Sequence, residues 1–186
     1  MKRFLFFLSA LLLLVLPGWT SRMDSSSGQT PSAVSKETAP VPWRVYFSPG
    51  GGCTDAIVDA IDRANNSILV QCYSFTSRPI GSALARARAR GVVVEIVADG
   101  SEPDQFKKEI NYLARSGVEV HVDSAHTLAH NKVMVIDGET VITGSFNFTY
   151  AAEHRNAENL LVIQNKTLAE QYAANWREHK KHSRPY

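Results

Sequence analysis

Four polar side chains flank a predicted β-hairpin in residues 130–147, HNKVMVIDGETVITGSFN. His130 and Lys132 come before the apolar run of the first strand, and Ser145 and Asn147 follow that of the second strand. Side chains two residues apart on a strand share a face, and the two ends of a hairpin are neighbours, so these groups should converge. Lys and Asn can bind phosphate oxygens, and an imidazole can attack phosphorus or transfer a proton. The four residue types therefore suit chemistry on a phosphate.

The turn of this hairpin contains Asp137 and Gly138. A two-residue Asp-Gly loop supplies the positive φ angles that a tight hairpin turn requires. Asp137 has the opposite strand parity to His130 and sits in the turn, so its side chain should lie at the far end of the hairpin. We therefore interpret Asp137 as a turn-forming residue.

Apolar strands and amphipathic helices alternate around the hairpin. The patterns predict strands in WRVYF, SILVQCYSF, VVVEIVA, VEVHVD and AENLLVIQN, and helices in TDAIVDAIDRAN, DQFKKEINYLARSG and KTLAEQYAANWREHK. A further helix should begin at Pro79 and end at Gly91, and Thr54 should cap the first helix. Buried strands separated by helices predict one α/β domain, with a mixed β-sheet flanked by helices on both faces.

The N-terminal region differs in composition from the rest of the chain. Residues 1–20 are predicted to be a secretory signal peptide, because two basic residues precede an apolar stretch that is short for a membrane span. An uncleaved anchor is the alternative. Residues 21–42 are rich in Ser, Thr and Pro and predict a disordered spacer. Residues 43–186 then form the folded domain, which we expect in the periplasm or outside the cell, without membrane insertion after signal removal.

Two cysteines, Cys53 and Cys72, lie near the start of the first predicted helix and in the strand that follows it. Export would place them in an oxidising compartment, which favours a disulfide between them. The alternative is a pair of small buried thiols. The sequence leaves both open, because it does not give the Cα separation that a disulfide requires.

The spacing of the hairpin's polar residues is similar to that of a known family. It matches the HKD signature of the phospholipase D superfamily at every fixed position, namely His130, Lys132, Asp137, Gly144, Ser145 and Asn147. The segments YSFTSRPI, GVVVEIVAD and GSFNFTYAAEHRNAENLLVI and the closing helix extend the similarity over most of residues 43–180. The chain thus resembles the small secreted or periplasmic bacterial endonucleases of that superfamily, which carry a single motif.

The resemblance implies a role for each matching residue. His130 would be the nucleophile that forms a phosphohistidine, and Lys132 and Asn147 would hold the phosphate oxygens. Ser145 and Glu158 would form hydrogen bonds behind these groups and keep the imidazole oriented. Without the family, Glu158 would be interpreted as an ordinary carboxylate at the start of a strand. The resemblance implies a phosphodiester hydrolase that needs no metal and no other cofactor.

One motif supplies only part of such a reaction. Phosphodiester hydrolysis through a covalent intermediate needs a nucleophile and a separate acid that protonates the departing oxygen. A two-fold homodimer would bring each His130 to its symmetry mate, so that the two imidazoles divide these roles. We therefore expect a site shared across a homodimer.

A metal site is a less favoured interpretation of part of this region. His121, Asp123, His126 and His130 lie close together in HVDSAHTLAH, and such a group could bind a metal ion. His130 already belongs to the more specific HKD pattern, and His121 and His126 are interpreted as surface or loop residues. No metal site is therefore predicted.

Charge gives little indication of the substrate. Without Lys2 and Arg3, which leave with the signal peptide, the basic count falls from 20 to 18 and equals the acidic count of 18. The residues Arg86, Arg88 and Arg90 are interpreted as a solvated helix face.

The C-terminal tail, with Lys180, Lys181 and Arg184, is the better candidate for a phosphate contact. From the resemblance we expect cleavage of nucleic acid, with DNA favoured over RNA as the substrate. The sequence shows no element that would read bases, so cleavage should be largely independent of nucleotide sequence. A phospholipase acting on a lipid headgroup and an inactive nucleic-acid-binding module are the alternatives.

Overall fold

The computed structural model describes residues 41–102 and 107–186. The predicted signal peptide, residues 1–20, and the predicted spacer up to residue 40 lie outside the described residues, as do residues 103–106. Among the helices in the described part of the chain, none combines the length and the apolar composition needed to cross a bilayer.

The described residues form eight strands and five helices around a single mixed sheet. In chain order these are β1 Trp43–Ser48, α1 Cys53–Asp62, β2 Ser67–Cys72, α2 Arg78–Ala89, β3 Val93–Asp99, α3 Lys108–Arg115, β4 Glu119–Asp123, β5 Lys132–Ile136, β6 Thr140–Gly144, α4 Tyr150–His154, β7 Glu158–Gln164, α5 Lys166–His182 and β8 Arg184–Pro185.

The strands lie in the order β1-β7-β6-β5-β2-β3-β4-β8. Strands β2, β3 and β4 are parallel neighbours, because α2 and α3 return the chain to the same end of the sheet between them. The other neighbouring pairs are antiparallel. The predicted α/β fold with a mixed sheet is therefore confirmed.

Helices cover both faces of this sheet, and the strands alternate between two cores. On β5, Met134 and Ile136 join the larger core, which also contains the buried side chains of α1, α2 and α3. Val133 and Val135 point to the opposite face and pack with Ala169 of α5. The period of two along this strand thus allows one buried segment to anchor layers on both faces.

The predicted Thr54 cap is wrong. Helix α1 begins at Cys53 after Gly52, whose φ of 75° is left-handed and whose position has no side-chain cap. Thr54 lies inside the first turn, and its backbone N–H donates to Glu153 Oε2 at 2.7 Å. A carboxylate from α4 therefore satisfies the free N–H at this helix start, where it also meets the positive end of the helix dipole.

The two cysteines are free and buried, which contradicts the disulfide hypothesis. Cys53 and Cys72 both belong to the larger core. Burial, aided by Glu153, raises the pKa of Cys53 to about 11, and burial raises the pKa of Cys72 still further above its ordinary value. Thiol–disulfide exchange needs a thiolate, so this environment keeps both residues as inert apolar side chains.

Candidate active site

The hairpin predicted around Asp137 is formed by β5 and β6. Ile136 pairs with Thr140, so three residues separate the strands instead of the predicted two. Asp137 and Gly138 have φ angles of 54° and 65°, the positive values that the Asp-Gly pattern predicts. The Glu139 N–H donates to the Ile136 carbonyl at 3.0 Å and closes the turn. Glu139 is the extra residue, because it completes the turn without entering the β6 ladder.

Asp137 fastens this turn to the neighbouring strand. Its carboxylate accepts hydrogen bonds from three consecutive backbone N–H groups, those of Asn65, Asn66 and Ser67, at 2.9, 2.8 and 2.9 Å. Burial alone would raise the pKa of Asp137, but these N–H donors lower it below its usual value. Asp137 thus fixes β5 and β6 against β2 at the end of the hairpin opposite His130.

His130 and Lys132 form a direct pair at the other end. The Lys132 Nζ lies 3.0 Å from His130 Nδ1 and donates to the His130 carbonyl at 2.9 Å. His130 is exposed, whereas Lys132 is the buried first residue of β5 and pairs with Cys72 on β2. The Tyr73 ring lies against the imidazole, with 4.5 Å between ring centroids. A rigid, buried ammonium therefore supports an imidazole that solvent and substrate can reach.

Burial lowers the pKa of Lys132, and the nearby Glu158 carboxylate opposes this by raising the pKa of Lys132. The Lys132 ammonium can only donate hydrogen bonds, so Nδ1 of His130 is the acceptor in this pair. In the neutral imidazole the proton then lies on Nε2. The state of Lys132 thus controls which ring nitrogen of His130 carries a lone pair.

Gly144 ends β6 at a point where only glycine fits. Its φ is 150°, and a Cβ atom there would collide with the backbone carbonyl of Asn159 on β7. Beyond it, Ser145 Oγ donates to Glu158 Oε2 at 2.6 Å and accepts a hydrogen bond from the Asn159 N–H at 3.1 Å. Asn156 Nδ2 donates to the other Glu158 oxygen at 3.0 Å. The close approach of the two chain segments thus brings Ser145 onto Glu158.

Asn147 lies between two phenylalanines that are fully buried, Phe146 and Phe148. Phe148 forms a parallel bridge with Phe75, and the two rings meet edge to face at 5.8 Å. The Asn147 Oδ1 is buried and accepts no hydrogen bond from the residues that the structure describes. Most buried polar atoms in proteins are hydrogen-bonded, and burying an unpaired amide oxygen costs free energy.

The predicted site residues thus form two hydrogen-bonded pairs, and Asn147 is positioned separately by its two buried neighbours. His130 pairs with Lys132, and Ser145 pairs with Glu158. Among the described residues, the hydrogen bonds of Glu158 come from Ser145 and Asn156 and not from the imidazole, and the Glu158 charge raises the pKa of Lys132. The roles assigned to these residues stay predictions.

Two residues at this site were missed from the sequence. The Tyr73 ring contacts the imidazole at a tilt of 51°, and Asp99, the buried last residue of β3, accepts the Ala129 N–H at 2.5 Å next to His130. Both follow apolar strands whose ends meet at this edge of the sheet. A polar residue that closes a buried parallel strand is the signal that could have identified Asp99.

The family described as "Cardiolipin synthase, PLD-like domain" matches residues 57–180 of this chain. The chain belongs to the PLD-like family. The match spans every strand that carries a predicted site residue, from β2 to β7, and extends into α5.

Several relatives of this PLD-like chain are named for lipid chemistry. The "Phospholipase D" of Rickettsia conorii is 46% identical over 130 residues, which cover 70% of this chain and 65% of the relative. The "Mitochondrial cardiolipin hydrolase" of Drosophila melanogaster is 33% identical over 138 residues, covering 63% of this chain and 54% of the relative. The chain therefore spans less than two thirds of the length of these curated relatives.

One solved structure matches the PLD-like fold of this chain over nearly all of its own residues. It is the phospholipase D family member Nuc from Salmonella typhimurium, which is 40% identical and superposes with a TM-score of 0.76. The match covers 79% of this chain and 99% of Nuc. The sheet, its helices and the order of the elements are therefore common to both proteins.

The structure separates the four residues that were considered as an alternative metal site. His130 pairs with Lys132, and His121 Nε2 lies 2.7 Å from Glu119 Oε1. Asp123 and His126 remain together. They meet two histidines of α5, which the sequence gave no reason to connect with them.

The arginine-rich segment of α2 is engaged within the protein. Arg86 and Arg90 both form ion pairs with Asp62 of α1, and Arg88 donates to the Gly117 carbonyl at 2.7 Å. All three arginines remain exposed, which agrees with the interpretation of this run as a solvated helix face.

The C-terminal tail is also engaged. Lys180 forms ion pairs with Glu95 and Glu119, and Lys181 pairs with Glu178 at 2.7 Å. Neighbouring carboxylates reduce the positive potential that a phosphate would meet. Lys180 and Lys181 are therefore poorer phosphate contacts than the sequence predicts, while Arg184 lies exposed on the short edge strand β8.

Proposed function

We propose that this protein is a phosphodiesterase that hydrolyses nucleic acid without sequence specificity, and that it prefers DNA to RNA. The observation that carries the proposal is the exposed His130 imidazole held 3.0 Å from the buried Lys132 ammonium. A nucleophile that reaches solvent beside a fixed positive charge suits a phosphate within a long polymer, because the polymer need not enter a cavity. The N-terminal sequence supports an address in the periplasm or outside the cell.

The reaction proceeds in two displacements at phosphorus. First, a bare ring nitrogen of His130 attacks phosphorus, the bond to the leaving oxygen breaks, and that oxygen takes a proton from an acid. Water then attacks the phosphohistidine and gives a proton to the group that served as the acid, which now acts as a base. The bond from phosphorus to the imidazole breaks and releases the second product. Lys132 and Asn147 donate to the phosphate oxygens and neutralise the charge that develops on them.

Phosphate binding also changes the hydrogen bond between Lys132 and His130. A phosphate oxygen is a stronger acceptor than an imidazole nitrogen, so the bound substrate draws the Lys132 ammonium away from Nδ1. The exposed imidazole can then lose its proton from Nε2 to water and gain one at Nδ1, so that Nε2 becomes the bare nitrogen that attacks. Because Lys132 supplies the positive charge, this mechanism needs no metal ion at phosphorus.

The acid comes from a second copy of the chain. The hairpin supplies one His130, and a two-fold homodimer adds a second imidazole that can protonate the leaving oxygen. The uncovered part of the sheet supports this arrangement. Trp43 and Phe47 of β1 are each 63% exposed, and Val45 lies on the same face between them. Strand β1 pairs with β7, which begins at Glu158, so this apolar surface adjoins the site.

Mixed dimers test the shared site. Wild-type and His130→Ala chains are unfolded together and refolded at a fixed total concentration, after refolded wild type alone has regained its activity. If each dimer has one centre that needs both imidazoles, activity follows the square of the wild-type fraction, about a quarter at equal amounts. A straight line in the wild-type fraction would contradict the shared site, because each chain would then hold a complete centre.

Hydrolysis of a lipid headgroup phosphodiester is the second candidate function. The names of the Rickettsia and Drosophila relatives favour it, and Leu128, two residues before His130, is exposed and apolar. DNA, RNA and vesicles containing phosphatidylcholine and cardiolipin are therefore incubated in parallel with wild type and His130→Ala. Cleaved nucleic acid that depends on His130 supports the proposal, whereas headgroup release with intact nucleic acid overturns it.

A further inference from the structure

A second group of functional side chains lies at the end of β4 and the end of α5. Asp123 closes β4 and its side chain is completely buried. His126 follows in the loop, and His179 and His182 lie three residues apart on one face of α5. Single ligand atoms of these four residues all lie within 4.8 Å of one another.

Three imidazoles share one oxygen of the Asp123 carboxylate. Its Oδ2 lies 2.7 Å from His179 Nδ1, 3.2 Å from His126 Nδ1 and 3.2 Å from His182 Nε2. The centroids of the three rings are 5.0 to 5.3 Å apart. Each of the three rings therefore points a nitrogen at the same carboxylate oxygen. Histidines without a common partner would extend into solvent instead.

We propose that Asp123, His126, His179 and His182 bind one zinc ion. Imidazole nitrogen and carboxylate oxygen are donors that Zn²⁺ accepts, and four protein ligands are typical of a structural site. Bond lengths of about 2.0–2.2 Å place the ligand atoms of a tetrahedral zinc site about 3.3–3.5 Å apart. Two of the three distances from Oδ2 are 3.2 Å, so small rotations of the side chains would admit the ion.

The zinc ion would join two segments that are distant in sequence. His126 lies in the loop that leads to His130, and the two helical ligands belong to the last turn of α5. The same loop is held from the other side, because Asp99 accepts the Ala129 N–H and Asp99 is in register with Asp123. The ion would thus anchor the loop that carries His130, without contacting substrate.

Zinc binding is measured on the full chain, purified without a polyhistidine tag and stripped of metal with a chelator that is then removed. Calorimetric titration with ZnCl₂ is expected to give one ion per chain. Titration with CoCl₂ should produce the intense visible absorption of tetrahedral Co²⁺. His126→Gln is the main variant, because this side chain is 46% exposed and its replacement leaves the core intact. His182→Gln, at 38% exposure, is the second.

Loss of either ligand should weaken zinc binding at least about tenfold, since even changes beside the ligands of a metal site have effects of this size. His154→Gln makes the same change at an exposed histidine of α4 and should bind zinc like wild type. Circular dichroism establishes that each variant is folded. Absence of stoichiometric binding in wild type, or equal affinity in wild type and both ligand variants, overturns the proposal. No substrate is used, so the result is independent of the proposed nuclease activity.

Discussion

Replacing Asp137 by Asn should lower the stability of the protein while leaving its turnover nearly unchanged. The Asp137 carboxylate accepts N–H bonds from residues 65–67 and lies at the end of the hairpin remote from His130. Asn tolerates the positive φ of 54° at this position, so the substitution changes the hydrogen bonds and not the turn. Its effect therefore measures the attachment of the hairpin to β2.

The magnitude follows from the three bonds. One Asn oxygen can still accept the N–H groups of Asn66 and Ser67, but the amide nitrogen would face the N–H of Asn65 and cannot accept it. A hydrogen bond to a charged group contributes about 1.5–3 kcal/mol, and the two retained bonds become neutral and weaker. Partial exposure reduces the sum, so we expect a loss of about 2 kcal/mol in the free energy of unfolding.

Urea denaturation at neutral pH measures this loss. Glu139→Gln is the matched control, because Glu139 lies in the same turn and its ion pair with Lys166 is mostly exposed. An ion pair this exposed contributes little to stability, because water and salt screen it. Equal destabilisation by the two substitutions would refute the reasoning, as would a folded Asp137→Asn protein of normal stability that has lost its activity.

The stability of the two proteins in acid provides a second test of the role of Asp137. A carboxylate with a lowered pKa stabilises the folded state above its unfolded pKa, which is about 3.9 for Asp. This contribution disappears as the pH falls through the folded pKa of Asp137. The stability difference between wild type and Asp137→Asn should therefore be complete at pH 7 and narrow below about pH 4. A difference that stays constant into acid would mean that the carboxylate charge contributes nothing.

Three further predictions concern the chemistry and the assembly. Glu158→Gln should lower turnover and move the alkaline limb of the kcat/KM profile to lower pH, because Glu158 raises the pKa of Lys132; an unshifted limb would contradict this coupling. Cleavage should persist in EDTA, since Lys132 supplies the positive charge; a loss of activity in EDTA that His126→Gln does not share in the absence of chelator would indicate a metal at phosphorus. Phe47→Glu puts a charge on the exposed apolar face of β1, so the variant should be monomeric by light scattering and inactive in the cleavage assay. A stable dimer would show that the face of β1 is not the interface.

The features that the sequence predicted well depend on residues that are close together along the chain. The hairpin and its polar residues lie within 18 positions, so strand parity alone relates His130, Lys132 and Asp137. The strands were recognisable because burial on both faces makes them almost continuously apolar. Helix α4 and strand β8 were missed, since five and two residues are too short for a periodic pattern.

The errors arose where distant segments meet. The cap of α1 comes from Glu153, 99 residues after the N–H that it accepts. Asp123 meets His179 across 56 residues, and Lys180 meets Glu95 across 85. These contacts depend on strand order and on the position of α5 across the sheet, which no local pattern specifies. Hydrophobic periodicity gives the elements, but not which of their ends become neighbours.

The pairing of β1 with β7 constrains how the chain folds. Ser48 Oγ donates to the Asn156 carbonyl across 108 residues, so closing this contact costs far more chain entropy than closing the β5–β6 hairpin. Strand β1 must therefore wait until residues 158–164 have been synthesised, with Trp43 and Phe47 exposed along an unpaired edge. Chains that end before β7 should aggregate through this edge, and β1 docking should be a late event in refolding.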